Sequence, residues 1–205
     1  MRLVVIFFTL CSIGLPAGWR QLFNGRDLTG WEMVGPGRFV VENGTLKTEG
    51  GMGLLWYKGE KFGNATVRVV FKPMGERANS GVFIRLPEPP PDPWFAVHNG
   101  YEVQIDAAGD EWHSTGAIYS LSKAQQGFQK PSGEWNTMDI VLKGQRTTVF
   151  LNGHKINDFD GTEPAPERKR WFEPVRGPRP DQGYIGIQNH DAKSLVYFRQ
   201  ISVKK

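Results

Sequence analysis

Thr147-Thr148-Val149-Phe150-Leu151-Asn152-Gly153-His154-Lys155-Ile156 spells out a β-hairpin. β-Branched and aromatic residues lead into Asn152-Gly153, a dipeptide that accepts positive φ at both centres of a tight turn, and the chain returns through His154-Lys155-Ile156. The same pattern stands nearer the N-terminus, where Phe39-Val40-Val41-Glu42 and Thr45-Leu46-Lys47-Thr48 flank Asn43-Gly44. From residue 39 to the C-terminus, period-two alternation recurs, and no stretch carries the i, i+3, i+4 apolar spacing of a long helix. An all-β, antiparallel sandwich or barrel is the fold this pattern predicts.

Alternation also assigns faces. Val67, Val69 and Phe71 share one side of a strand, and Thr66, Arg68 and Lys72 the other. Val82, Ile84 and Leu86 form a buried set, with Phe83 and Arg85 directed the opposite way beside Gly81. Tyr101, Val103 and Ile105 leave Glu102, Gln104 and Asp106 together on the reverse face. Met138, Ile140 and Leu142 repeat the pattern, as do Ile185 and Ile187. Pro87-Glu88-Pro89-Pro90-Pro91-Asp92-Pro93 lacks ladder donors and predicts a stiff, extended loop. Residues 162–182, rich in proline and carrying Arg168, Lys169, Arg170, Arg176 and Arg179, read as a solvated crossover loop in preference to a substrate lid.

A length of 205 residues fits a single β domain, and no internal repeat or linker divides it. Hydrophobic residues at 39% and charged residues at 22% mark a globular chain, and a formal charge of +4 without a basic cluster gives no support to nucleic-acid binding. Met1-Arg2 followed by the apolar run Leu3 to Leu10 reads as a secretory signal ending at Ala17. The expectation is therefore a signal peptide over 1–17 and a domain over 18–205, exported to the periplasm or the extracellular space. The apolar run is too short for a membrane span. Cys11, the single cysteine, lies inside that signal, so the processed chain has no disulfide, cysteine nucleophile or cysteine metal site. Bulky Leu10 argues against a lipid anchor on Cys11 without closing the question.

Eight short segments then stand in order. They are 22–31 (Leu-Phe-Asn-Gly-Arg-Asp-Leu-Thr-Gly-Trp), Asn79-Ser80-Gly81-Val82-Phe83-Ile84-Arg85, Gly100-Tyr101-Glu102-Val103-Gln104-Ile105-Asp106 and Thr115-Gly116-Ala117-Ile118-Tyr119. Gly133-Glu134-Trp135-Asn136, Leu151-Asn152-Gly153, Ile185-Gly186-Ile187-Gln188-Asn189-His190 and Val196-Tyr197-Phe198-Arg199 complete the set. None is specific alone. In this order and spacing they resemble the 3-keto-disaccharide hydrolase domain family over nearly all of residues 18–205. The resemblance implies a concanavalin-A-like jelly-roll sandwich, similar to that of legume lectins and some glucanases. It also implies cleavage of glycosides already oxidised at sugar C3, with an oligosaccharide or glycoside as partner.

Glu102, Gln104 and Asp106 project from one strand face at about 6.6 Å spacing. With Gln188 they are the candidate substrate-binding set. Glu102 and Asp106 stand about 13 Å apart along a regular strand. That is too far for the carboxyl pairs of retaining or inverting glycosidases, at about 5–5.5 and 6.5–9.5 Å. A 3-keto group changes the chemistry, because it acidifies the C2 proton and allows elimination of the group at C1. Elimination needs a base, a stabiliser for the enolate oxygen and a donor for the leaving oxygen.

His190 is the candidate base, while His98, His113 and His154 have loop or turn settings and are weaker choices. Arg85 is the candidate for the enolate oxygen, with an ion pair to Glu102 or Asp106 as its structural alternative. Tyr119 is the candidate donor, with a packed ring as its alternative. No cofactor is called for, although Glu102, Gln104 and Asp106 form a hard-oxygen set that could take a Ca²⁺-like cation. Two rival functions stay open, a non-catalytic carbohydrate-binding module and a conventional glycoside hydrolase. Nothing in these patterns sets an oligomeric state.

Overall fold

The two Asn-Gly hairpins form where the sequence places them. The computed structural model describes residues 17–205, so the expected signal peptide up to Pro16, with Cys11, lies outside the described residues. In chain order the first strands are β1 (Arg20–Gln21), β2 (Trp31–Val34), β3 (Arg38–Glu42), β4 (Thr45–Glu49), β5 (Gly53–Tyr57), β6 (Ala65–Met74) and β7 (Asn79–Leu86). A short helix α1 (Pro93–Asn99) precedes β8 (Tyr101–Asp106). The rest are β9 (Asn136–Lys143), β10 (Arg146–Leu151), β11 (His154–Asp160), β12 (Tyr184–Asn189) and β13 (Leu195–Lys204). Asn43 and Gly44 join β3 to β4 at φ 49° and 77°, and Asn152 and Gly153 join β10 to β11 at φ 52° and 88°, the double positive φ that favours this dipeptide.

Two antiparallel sheets stack face to face. The larger runs β11-β10-β9-β6-β13-β4-β3, with β1 on β13, and the smaller runs β2-β5-β12-β7-β8. Between them lies the main core, to which β6 contributes Val67, Val69 and Phe71, β8 contributes Val103 and Ile105, and β9 contributes Met138 and Ile140. These are the alternating positions read as buried, and the fold is the antiparallel sandwich they predicted. Period-two burial is what holds the register, since a slip of one residue would carry every such side chain to the wrong face.

The smaller sheet is covered on its outer face as well. Leu54, Trp56, Phe83 and Leu86 form a second apolar cluster with Ala96 and Val97 of α1. The helix begins inside the proline run, a local feature that the loop reading omitted. Asp92 caps it by accepting from the Phe95 amide at 2.9 Å, and Pro93 occupies its first turn, where a missing N–H costs nothing. The helix roofs one end of the sheet and leaves the other end open.

Arg85 corrects the sequence reading. A register irregularity between Tyr184 and Gly186 opposite β7 accompanies a positive φ of 57° at Arg85, which turns its side chain out of the alternation. The guanidinium is fully buried and donates to the carbonyls of Pro180 and Asp181, each at 3.1 Å, and to that of Gly144. It ties the β9–β10 turn to the strand entry of β12 and forms no pair with Glu102 or Asp106.

Residues 162–182 also differ in part from a solvated crossover. Arg179 is buried and donates to the carbonyls of His98, Gly100, Val175 and Gly177, while Arg176 pairs with Glu173 at 2.7 Å. Arginines that look like surface charge in sequence here bind backbone carbonyls and fasten the segment against the end of α1.

Candidate active site

Strand register assembles the open end of the smaller sheet into rows. Asn79 pairs with Asp106, Gly81 with Gln104 and Phe83 with Glu102 across β7 and β8, while Gly186 pairs with Phe83 across β12 and β7. Gln188 lies two residues beyond Gly186 and so falls beside Gly81, completing the row Gln188, Gly81, Gln104. Glu102 belongs to the next row but leans out of it. A Cβ at position 81 would stand 2.7 Å from Glu102 Cγ, so the carboxyl occupies the space that the glycine leaves empty.

Around that carboxyl two amides gather. With its nitrogen turned toward them, Gln104 donates to Glu102 Oε1 and to the Ser80 carbonyl, each at 3.1 Å. Gln188 also hydrogen-bonds the Glu102 side chain. Its own Oε1 is buried without a partner. Burial pushes the Glu102 carboxyl up to about 8, and the Gln188 hydrogen bond only partly opposes it. Burial thus favours the neutral acid form of Glu102 at neutral pH.

These groups line a cavity of about 450 Å³, within the range of small-molecule sites. Asn79, Asp106 and His190 mark its polar end. At the opposite end stand Trp94 and Val97 of α1 and Phe172 of the 162–182 segment. Tyr119 and His113 come from the segment beside β8, where the Tyr119 amide donates to the Glu102 carbonyl at 2.9 Å. Burial raises the Tyr119 phenol to about 12, with the Glu102 charge adding to it, so its hydroxyl keeps its proton.

Two histidines face this space, in different states of engagement. His190 Nδ1 meets Asp191 Oδ2 at 2.8 Å, and nothing among the described residues bonds its Nε2. With Nδ1 holding a proton for Asp191, Nε2 is the basic nitrogen. His113 has both ring nitrogens in use, Nδ1 with Asp110 Oδ1 at 2.6 Å and Nε2 with Ser120 Oγ at 3.1 Å.

A family model described as a 3-keto-alpha-glucoside-1,2-lyase-like domain matches residues 18–204. The chain belongs to this family. A structure of a candidate glycosyl hydrolase from Parabacteroides distasonis is 28% identical, with a TM-score of 0.76 over 91% of this chain and 98% of that one. A second such protein from the same organism is 23% identical, with a TM-score of 0.74 over 91% and 93% of the two chains. The carbohydrate-binding module CBM66 of Bacillus subtilis shares the fold at 14% identity, with a TM-score of 0.59 over 86% and 96%. A search of curated proteins finds no match.

Within this lyase-like domain, six of the seven residues singled out from sequence line one cavity: Glu102, Gln104, Asp106, Gln188, Tyr119 and His190. Arg85 does not line it. Sequence reasoning ranked His113 below His190 although both line the cavity, and it missed Trp94 and Phe172, whose places depend on how α1 and a long loop fold back. Among the described residues no group of three or more His, Cys, Asp or Glu side chains is arranged to hold a metal ion. Asp106 is already engaged, accepting from Asn79 Nδ2 at 3.2 Å and from the Ala108 amide at 2.8 Å.

Gly81 is open to a direct test. Gly81→Ala forces the Glu102 carboxyl off the strand, and the expected result is a folded protein whose turnover falls about tenfold to a hundredfold, as a misplacement near 1 Å costs in a positioned site. Near-UV circular dichroism and kcat/KM measured together check it; unchanged kcat/KM would show that the position of this carboxyl does not matter.

Proposed function

We propose that this protein cleaves 3-keto-glycosides by elimination across C1 and C2 of the oxidised sugar, followed by hydration. The observation that carries the reading is a buried, protonated carboxyl, Glu102, held by two amides in the same cavity as a histidine with a free basic nitrogen. A neutral acid beside a base suits enolate chemistry, where a proton leaves carbon and charge builds on a carbonyl oxygen. Ordinary hydrolysis by two carboxyl groups would have to pair Glu102 with Asp106, four residues along one strand and about 13 Å apart along it, beyond the spacing such pairs use.

His190 Nε2 takes the C2 proton, and the electron pair moves into the C3 carbonyl to give the enolate. Glu102 donates a hydrogen bond to that oxygen, the role read from sequence for Arg85. The enolate then collapses, the C1–O bond breaks, and Tyr119 hands a proton to the departing oxygen. Water adds across the resulting double bond, placing hydroxyl on C1 and hydrogen on C2, so that one water is consumed and the sum is hydrolysis. Gln104, Asp106 and Gln188 hold ring hydroxyls, Gln188 through its unpartnered Oε1. Export, expected from the N-terminal segment, would place the protein with glycosides outside the cytoplasm.

Incubation with a 3-keto-disaccharide and, separately, with its unoxidised parent tests the reading. Release of sugar from the oxidised form alone is expected. Comparable release from the parent would make the protein a conventional glycoside hydrolase, and binding without release from either would make it a carbohydrate-binding module.

A further inference from the structure

Exposed apolar surface on this molecule is concentrated at one place. Among the described residues, five large apolar side chains are exposed, and three of them, Trp94 at 38%, Trp171 at 66% and Val175 at 44%, gather where the 162–182 segment meets α1. The Val175 amide donates to the His98 carbonyl at 3.1 Å, and His98 Nε2 reaches the Trp171 carbonyl at 3.0 Å, so the segment is fastened to the helix on both sides of the patch. The Trp94 and Trp171 rings lie 4.7 Å apart between centroids, and Trp171 and Phe172 are 5.8 Å apart. Single exposed apolar residues need no explanation, but a cluster of large rings facing water marks a surface that meets something.

The patch is continuous with the cavity. Trp94 and Phe172 line the cavity wall, while Trp171 carries the aromatic surface outward from them. The cavity is polarised along the strands, with Asn79, Asp106 and His190 at the far end and these rings at the near end. Tyr119, the donor to the departing oxygen, lies on the ring side: its ring meets that of His113 at 5.2 Å, and His113 borders a cleft with Lys169 and Glu173 of the segment that carries Phe172. A group leaving from C1 past Tyr119 therefore passes over Trp94 toward Trp171.

We propose that Trp94, Phe172 and Trp171 form an aglycone platform, and that this protein prefers glycosides whose leaving group is a flat aromatic ring. The inference rests on the cavity being the glycoside site. A planar ring can stack offset or edge-on against indole at the centroid separations already present here, whereas the platform offers a hydroxyl-rich second sugar few side-chain hydrogen-bonding groups. Chemically, the reaction that supplies the substrate is then the C3 oxidation of an aryl glycoside, and the products are a 3-keto sugar and a phenol.

The test compares phenyl, methyl and glucosyl glucosides, each in plain and 3-keto form, by calorimetric Kd and, for the 3-keto forms, by kcat/KM. Phenyl compounds are expected to bind about tenfold more tightly than methyl ones, with glucosyl compounds close to methyl. Trp171→Ala is expected to bring the phenyl-to-methyl ratio to within about twofold to threefold, and Trp171→Phe to restore most of it. Equal Kd for phenyl and methyl compounds, a ratio unmoved in Trp171→Ala, or no binding of any phenyl compound would overturn the platform. A phenyl preference without turnover would sink the elimination reading and keep the platform, and turnover without the preference would do the reverse. Since Trp171 is exposed, its replacement is expected to leave the unfolding midpoint within about 2 °C, which separates loss of stacking from loss of fold.

Discussion

His190→Ala removes turnover on a 3-keto-glycoside by about a hundredfold to ten-thousandfold, the range that general base catalysis supplies, while the protein stays folded. The expectation follows from how the residue is held. Its ring is nearly half exposed at the polar rim of the cavity and buries little apolar surface, so stability changes by about 0.5 kcal/mol or less. Asp191 loses the imidazole but keeps backbone donors from Lys193 at 2.7 Å and Ser194 at 2.9 Å, so no carboxylate is stranded. Binding of substrate is expected to weaken far less than kcat, because the lost interaction is with a proton that moves only in the transition state. Full turnover in this variant would remove the histidine from the mechanism.

Glu102→Gln has an equally large expected effect, read in two ways. Folding takes this carboxyl from its ordinary value of 4.5 to about 8. Below the lower value it is protonated in both states and costs nothing. Between the two values the unfolded chain ionises and the folded one does not, so stability falls as pH rises from about 4.5 to 8 and then levels off. The accumulated loss is on the order of 5 kcal/mol, or roughly 10–20 °C in unfolding midpoint for a chain of this size. Glutamine keeps the shape and the amide contacts but cannot ionise, so the variant lacks that slope and is the more stable protein above pH 8. Its turnover falls about a hundredfold to a thousandfold, through loss of the acid at the enolate oxygen. In the wild type, kcat/KM on a 3-keto substrate is expected to decline as pH rises through about 8, where the donor proton is lost. Thermal melts from pH 4 to 9 and a pH–rate profile check both halves; parallel melting curves for the two proteins would show that Glu102 is not buried in neutral form.

A residue that weakens its own fold at neutral pH is best explained by what it does there. Glu102, Gln104, Gly81 and Gln188 could pack as an apolar patch like Leu54, Trp56 and Phe83 of the same two rows. Instead they place one neutral acid and one unpartnered acceptor in a cavity, a local conflict of the kind that marks working sites.

The legible part of this protein was its period-two grammar. Asn43-Gly44 and Asn152-Gly153 located two hairpins, and alternation put Val67, Val69, Phe71, Val103 and Ile105 in the core and Glu102, Gln104 and Asp106 on one other face. That same alternation misled at Arg85, because a bulge breaks the period and a positive φ is invisible in a run of residue types. It was silent on Trp94 and Phe172, whose places follow from a seven-residue helix hidden in a proline run and from arginines binding carbonyls across about eighty residues of chain. The carboxyl pKa was out of reach as well, since desolvation depends on which loops close over a strand rather than on the strand itself.

The most direct measurement of the central claim is made in D₂O. Cleavage of a 3-keto-glycoside by the purified protein, followed by NMR or mass spectrometry of the released sugar against an enzyme-free control, reports the fate of the C2 hydrogen. Elimination and hydration predict one deuterium at C2 for each molecule of sugar released. Cleavage at full rate with the original hydrogen still on C2 would contradict the account, because the bond that His190 is placed to break would never have opened.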